Sequence, residues 1–160
     1  MIWLSRALLG PRVLSSYFDK HSIRVAAQEL SFSEAVAEAT GLLVSAGQAK
    51  PEYIGEVLAN LEALGPYFVV APGVAIAHAP PSAATIKPGM ALLKLAVPCE
   101  SGSANDPVAL VFALCSPDSE SHLDLLASFA EKLSDSQVMN SLLNASAESV
   151  ISAILFENQL

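Results

Sequence analysis

The sequence predicts a single α/β domain spanning residues 1–160, with a mixed sheet of about five strands flanked by helices on both faces. Three observations carry this reading. Apolar residues recur at helical spacing after Ser31 and again after His122, strand-type apolar runs fill the stretch between, and Gly and Pro pairs separate the runs. An all-helical or all-β fold would leave half of these signals without a role.

The first helix follows Ser31, three residues before Glu34 as in a capping box, with Ala35, Val36, Ala39, Leu42, Leu43 and Ala46 on one stripe and Gly47 as the stop. A second starts at Pro51-Glu52, residue types favoured in a first turn, carries Tyr53, Ile54, Val57, Leu58, Leu61 and Leu64, and ends at Gly65. The two read as a helical hairpin. Short strands are expected at Tyr67–Ala71 and Val74–Ala77 around the turn pair Pro72-Gly73, with His78 closing the second. Longer strands are expected at Met90–Val97 and Val108–Leu114, joined as a hairpin by the turn-rich segment Glu100–Pro107. From His122 the helical period returns in Leu123, Leu126, Ala130 and Leu133, with Ser119 or Ser121 to cap it, and shorter helices are expected at Ser136–Leu143 and Ala147–Phe156. No element is assigned before Ser31.

Composition narrows the function classes. With 52% hydrophobic and 15% charged residues, the chain has the apolar surface needed to offset ordering entropy, so it folds. Its mean hydropathy of +0.48 raises the question of a membrane span. No apolar run approaches the ~18 residues one needs, and Lys94 interrupts Met90–Val97. The first residues lack the basic region of a signal peptide, which leads to the expectation of a cytoplasmic protein. Sixteen acidic residues against 8 basic give a net charge of −8, which opposes binding to a phosphate backbone, so nucleic acid is not expected as a partner. Cys99 and Cys115 stand in apolar runs without a Cys-x-x-Cys spacing and read as buried reduced thiols.

The residues that could carry chemistry are few. His78 follows the apolar run Val74–Ala77 and precedes Ala79-Pro80-Pro81, which must leave the sheet, so its imidazole stands on rigid backbone at an element's end. By position alone it reads equally as a packing or surface histidine. His122 falls near a helix N-terminus, where the dipole favours anions and keeps an imidazole neutral; a solvated first-turn residue is the plain alternative. His78, Cys99, Cys115 and His122 could in principle form a Cys₂His₂ zinc site, but they contain no short chelating pair, and no metal is expected. His21, amid Asp19, Lys20 and Arg24, reads as surface. Phosphate-loop, dinucleotide, His-Glu-x-x-His and Gly-x-Ser-x-Gly motifs do not occur.

Three segments taken together, Gly65-Pro66-Tyr67-Phe68-Val69-Val70-Ala71-Pro72-Gly73-Val74-Ala75-Ile76-Ala77-His78-Ala79, Asn105-Asp106-Pro107-Val108 and His122-Leu123-Asp124-Leu125-Leu126, resemble the enzyme IIA component of the bacterial phosphoenolpyruvate-dependent sugar phosphotransferase system. The similarity is to its mannitol/fructose-type superfamily, closest to the ascorbate-type branch, and runs from about Ser31 to the C-terminus. It implies a phosphorylatable His78, a second active-site histidine at His122 that hydrogen-bonds the phosphate, and no metal or nucleotide cofactor. It implies a phosphoryl group received from HPr and passed to a cysteine of enzyme IIB, for a membrane permease handling an ascorbate-like or polyol substrate. A regulatory module on the same fold, or an interaction protein that no longer takes phosphate, are the alternatives. The chain departs from the family pattern at Ala77, commonly Pro, and at Pro80, where many members carry Arg. Mannitol-type members place an active-site Arg on the preceding helix, where Asn60 is the nearest polar residue here. Asn60, Ser119 and Ser121 are therefore supporting candidates, and the abundance of apolar residues is compatible with a homodimer.

Overall fold

A computed structural model describes residues 17–146 together with 148, 149 and 151. Five strands form one mixed sheet: β1 (Phe18–Ala26), β2 (Val69–Ala71), β3 (Val74–Ala77), β4 (Gly89–Cys99) and β5 (Val108–Cys115), in the order β1-β4-β5-β3-β2. β4 and β5 pair antiparallel as the expected hairpin, β2 and β3 pair antiparallel, and β1–β4 and β3–β5 are parallel.

Helices α1 (Phe32–Ser45) and α2 (Glu52–Leu64) cover one face, and α3 (Ser119–Leu133) and α4 (Ser136–Asn144) the other. The alternation of side chains along a strand divides the core accordingly. Ala75, Ala77, Val111, Ala113 and Cys115 face Val36, Leu43, Tyr53 and Val57, while Val74, Ile76, Leu110, Phe112 and Leu114 face Leu125, Phe129 and Leu142. Phe112 and Phe129 meet edge to face at 4.6 Å, tying α3 to the sheet. On the first face, the small side chains of Ala75, Ala77 and Ala113 leave room for the helices.

The helix signals operate as their chemistry requires. The Ser31 hydroxyl accepts from the Glu34 N–H at 3.1 Å and the Glu34 carboxylate accepts from the Ser31 N–H at 2.8 Å, a reciprocal cap that satisfies two otherwise unpaired donors of the first turn. Gly65, at φ 71°, ends α2 and turns its N–H back to the Leu61 carbonyl. Lys94 is 5% exposed and its Nζ donates to the carbonyls of Leu142 and Leu143, closing the C-terminal end of α4. A charge that breaks an apolar run in sequence is thus a helix anchor in the fold.

Three expectations need correction. The segment before Ser31 contains β1, an edge strand parallel to β4. Its pairing register shifts between Phe18 and Ile23, across Asp19, Lys20 and His21, so the period of two is broken where it would have been read. Tyr67 and Phe68 lie in a 3₁₀ turn, Pro66–Phe68, and only Val69–Ala71 is strand. Asp118, not Ser119 or Ser121, caps α3, accepting from the Ser121 N–H at 2.7 Å. The helix expected at Ala147–Phe156 lies largely outside the described residues.

Candidate functional site

Parallel strands β3 and β5 end side by side, with Ala77 opposite Ala113. His78 is the first residue after β3, and the chain leaving β5 turns through Ser116–Asp118 into α3. In mixed α/β sheets, sites form outside the carboxyl ends of parallel strands. Side-chain alternation puts position 78 on the same face as Val74 and Ile76, towards α3. His122, the fourth residue of that helix, therefore meets it, with ring centroids 5.8 Å apart.

The protonation pattern of His78 follows from its partners. Nδ1 lies 3.0 Å from the Ile76 carbonyl, which can only accept, so Nδ1 carries the proton. Nε2 then holds the lone pair, 3.1 Å from the Tyr67 hydroxyl. Asn60 Nδ2 donates to that hydroxyl at 3.2 Å and to the His78 carbonyl at 3.1 Å. With its oxygen engaged by Asn60, Tyr67 directs its O–H at Nε2. Phe68, fully buried, walls the ring at 5.3 Å and Tyr67 lies edge-on at 5.7 Å.

Helix α2 holds the segment after His78. Tyr53, Glu56 and Asn60 share one helical face. The Tyr53 hydroxyl accepts from the Ala79 N–H at 3.0 Å and donates to the Leu114 carbonyl at 2.8 Å. Glu56 accepts from the Ser82 hydroxyl at 2.6 Å. Burial pushes the pKa of the Tyr53 phenol well above its ordinary value, so it remains a neutral donor.

Burial is also the main influence on His78, pushing its pKa below the ordinary imidazole value; proximity to His122 acts in the same direction and the Ile76 carbonyl opposes it. His122 has its backbone N–H bonded to the Asp118 carbonyl, while its Nδ1 is buried without a hydrogen-bond partner. A buried ring nitrogen with unused bonding capacity beside the His78 ring is an arrangement suited to a transient polar ligand.

The remaining candidates separate. Asn60 is at the site, but its amide N–H groups hold Tyr67 and the His78 backbone. Ser119 is an exposed first-turn residue, and Ser121 contributes its backbone N–H to the Asp118 cap. His21 is exposed on β1. Cys99 and Cys115 are free and buried, near opposite ends of the β4–β5 hairpin, opposite Val108 and Gly89. Among the described residues no cluster of three metal-ligating side chains occurs, and no helix is long and apolar enough to cross a membrane. Sequence reasoning missed Tyr67, read as a strand residue, and the Tyr53 hydroxyl, read as part of an apolar stripe.

Fold and site together define a protein that presents one imidazole nitrogen at the surface and fixes the other to its own backbone. The chain belongs to the EIIA 2 family of the phosphoenolpyruvate-dependent sugar phosphotransferase system, whose model matches residues 16–158. It is 30% identical over 142 residues to the mannitol-specific cryptic phosphotransferase enzyme IIA component of Escherichia coli strain K12, covering 89% of this chain and 97% of that protein. The solution structure of the E. coli protein so named superposes with a TM-score of 0.83 at 29% identity, over 91% of this chain and 99% of that one. The ascorbate-specific EIIA component of the same strain is 34% identical over 115 residues, 71% of this chain and 75% of that protein. The fold is also shared, at 21% identity and a TM-score of 0.74, with the E. coli complex of enzyme IIA and phosphorylated enzyme IIB of the mannitol system, covering 88% of this chain and 99% of that chain. Membership makes the chain a phosphoryl-carrier component of a sugar phosphotransferase system.

Proposed function

We propose that the chain, as one phosphocarrier domain over residues 1–160, takes a phosphoryl group from phospho-HPr on His78 Nε2 and passes it to a cysteine of enzyme IIB. It would do so in the cytoplasm, supplying a membrane permease for an ascorbate-like or polyol substrate. The observation that carries this reading is the fixed tautomer of His78: the Nδ1–H is held by Ile76, and the lone pair on Nε2 stands at a half-open surface. The relatives' ascorbate and mannitol specificities, and the solved enzyme IIA complex with phosphorylated enzyme IIB, support the choice of partners and substrate class.

Phosphoryl transfer asks the protein to position the nucleophile and to donate hydrogen bonds to spreading negative charge. His78 supplies the first. His122, whose Nδ1 is buried without a hydrogen-bond partner, would supply one of the second. Incubation with phosphoenolpyruvate, enzyme I and HPr should add one acid-labile, alkali-stable phosphoryl group to the purified chain, and phosphate should then move to an enzyme IIB cysteine. An unmodified mass would overturn the reading. His122→Ala should still accept phosphate on His78, about 10²-fold more slowly, because a donor to the transition state is lost while the nucleophile survives. Equal rates in rapid-quench transfer measurements would remove His122 from the mechanism.

The lowered pKa of His78 has a measurable sign. Its ring resonances should titrate with a midpoint below the ordinary value of about 6.5, so the nucleophile is neutral throughout the neutral range. Between the folded and unfolded midpoints the unfolded chain binds more protons. The stability this group contributes is complete above about pH 6.5 and is lost as pH falls through the folded pKa. A midpoint above about 6.5 in a two-dimensional NMR titration would contradict the burial argument.

A further inference from the structure

We infer that Tyr67 is a catalytic residue of the transfer, its hydroxyl holding the Nε2 lone pair of His78 at rest and moving its hydrogen bond to a phosphoryl oxygen as the N–P bond forms. The inference rests on the carrier reading of His78 and adds a residue to it. The hydroxyl lies 3.1 Å from Nε2, in the position an incoming phosphoryl group must approach. Its donor sense is set by Asn60, which occupies the oxygen from the other side at 3.2 Å. The Tyr67 side chain is 43% exposed, so it has open space to move into. The turn that carries it is anchored by Phe68, which is fully buried.

The step balances without a further reactant. The donor is a phosphohistidine on another protein. Its N–P bond breaks with the electron pair returning to the donor nitrogen, and the Nε2 lone pair of His78 forms the new N–P bond. The Nδ1 proton stays on His78 against Ile76, and the Tyr67 proton stays on its oxygen. At rest the hydroxyl is bonded to a neutral lone pair. In transit it faces a phosphoryl oxygen bearing negative charge, and charge-assisted hydrogen bonds are roughly twice as strong as neutral ones. An interaction that strengthens between ground and transition state accelerates the step.

Tyr67→Phe keeps the ring and removes only the hydroxyl. With phospho-HPr as donor, kcat for phosphorylation of His78 should fall about 10- to 100-fold with KM unchanged, and the final stoichiometry should stay at one. The Nε2 nitrogen resonance of unphosphorylated His78 should shift towards the position of a free imidazole lone pair, while the backbone amide spectrum stays native-like. Asn60→Ala, which leaves the hydroxyl but frees its orientation, should reduce kcat in the same direction by less. A wild-type chain that takes phosphate beside a Tyr67→Phe chain with equal kcat overturns the inference alone. So does a raised KM with unchanged kcat, the signature of a docking contact. A wild-type chain that takes no phosphate overturns the carrier reading and this inference together.

Discussion

His78→Ala is expected to take up no phosphoryl group from phospho-HPr while remaining folded, the largest functional effect of any single substitution in the chain. The ring supplies the sole Nε2 lone pair that the site presents with its tautomer fixed by backbone. Removing it leaves a run of three methyl side chains between Ile76 and Pro80, with no nucleophile among them. The fold should tolerate the change. The substitution removes the bond to the Ile76 carbonyl and one partner of the exposed Tyr67 hydroxyl, the second of which water can replace, whereas the Asn60 bond runs to the backbone carbonyl of residue 78 and survives. A net hydrogen bond is worth about 1 kcal/mol, so the urea midpoint should correspond to a loss of about 1–2 kcal/mol. The discriminating comparison is with His122→Ala, which should be slow but reach full stoichiometry. Uptake by His78→Ala with none by His122→Ala would reverse the two roles, and uptake by both would move the acceptor to the third histidine, His21.

Much of this site was legible because its parts obey local rules. The Ser31–Glu34 capping box and the Gly65 stop place α1 and α2 from sequence, and the apolar run before His78 places the imidazole at a strand end. Strand alternation even assigns His78 to the face of Ile76. What could not be read is which helix covers that face. That depends on β3 pairing in parallel with β5, with the whole of β4 lying between them in the chain, a choice made by tertiary packing and not by any local pattern. β1 escaped for a related reason. Its shifted register puts Asp19, Lys20 and His21 where alternation would have revealed it, and its pairing with β4 is again parallel and distant. Asn60 is legible as a polar residue on the helix that precedes His78. Its service as a holder of the Tyr67 hydroxyl and the His78 backbone required the 3₁₀ turn at Pro66–Phe68, which a β-rich composition conceals.

Tyr53 is the clearest case of a residue whose period describes one half of it. Its ring belongs to the apolar stripe of α2 and is fully buried, as the spacing requires. Its oxygen is the junction between three elements, taking the Ala79 N–H and giving its proton to the Leu114 carbonyl, partners 26 and 61 residues away. Tyr53→Phe should therefore cost more than a buried methyl-scale change. Ala79 is 4% exposed and Leu114 fully buried, so water cannot readily replace the lost partner. An orphaned buried donor or acceptor costs about 1–3 kcal/mol, so a loss of at least about 1–3 kcal/mol is expected in urea unfolding. Function should follow, because Ala79 adjoins His78 and the clamp fixes the carboxyl end of β3 against that of β5. Small misplacements of a reacting group lower rates steeply, and a roughly 10-fold slower uptake at His78 is expected. The Ala79 amide should exchange faster with solvent in the variant. Wild-type stability with an equally protected Ala79 amide would show that the His78 segment is held by Asn60 and the sheet alone, and that the Tyr53 oxygen serves merely its own burial.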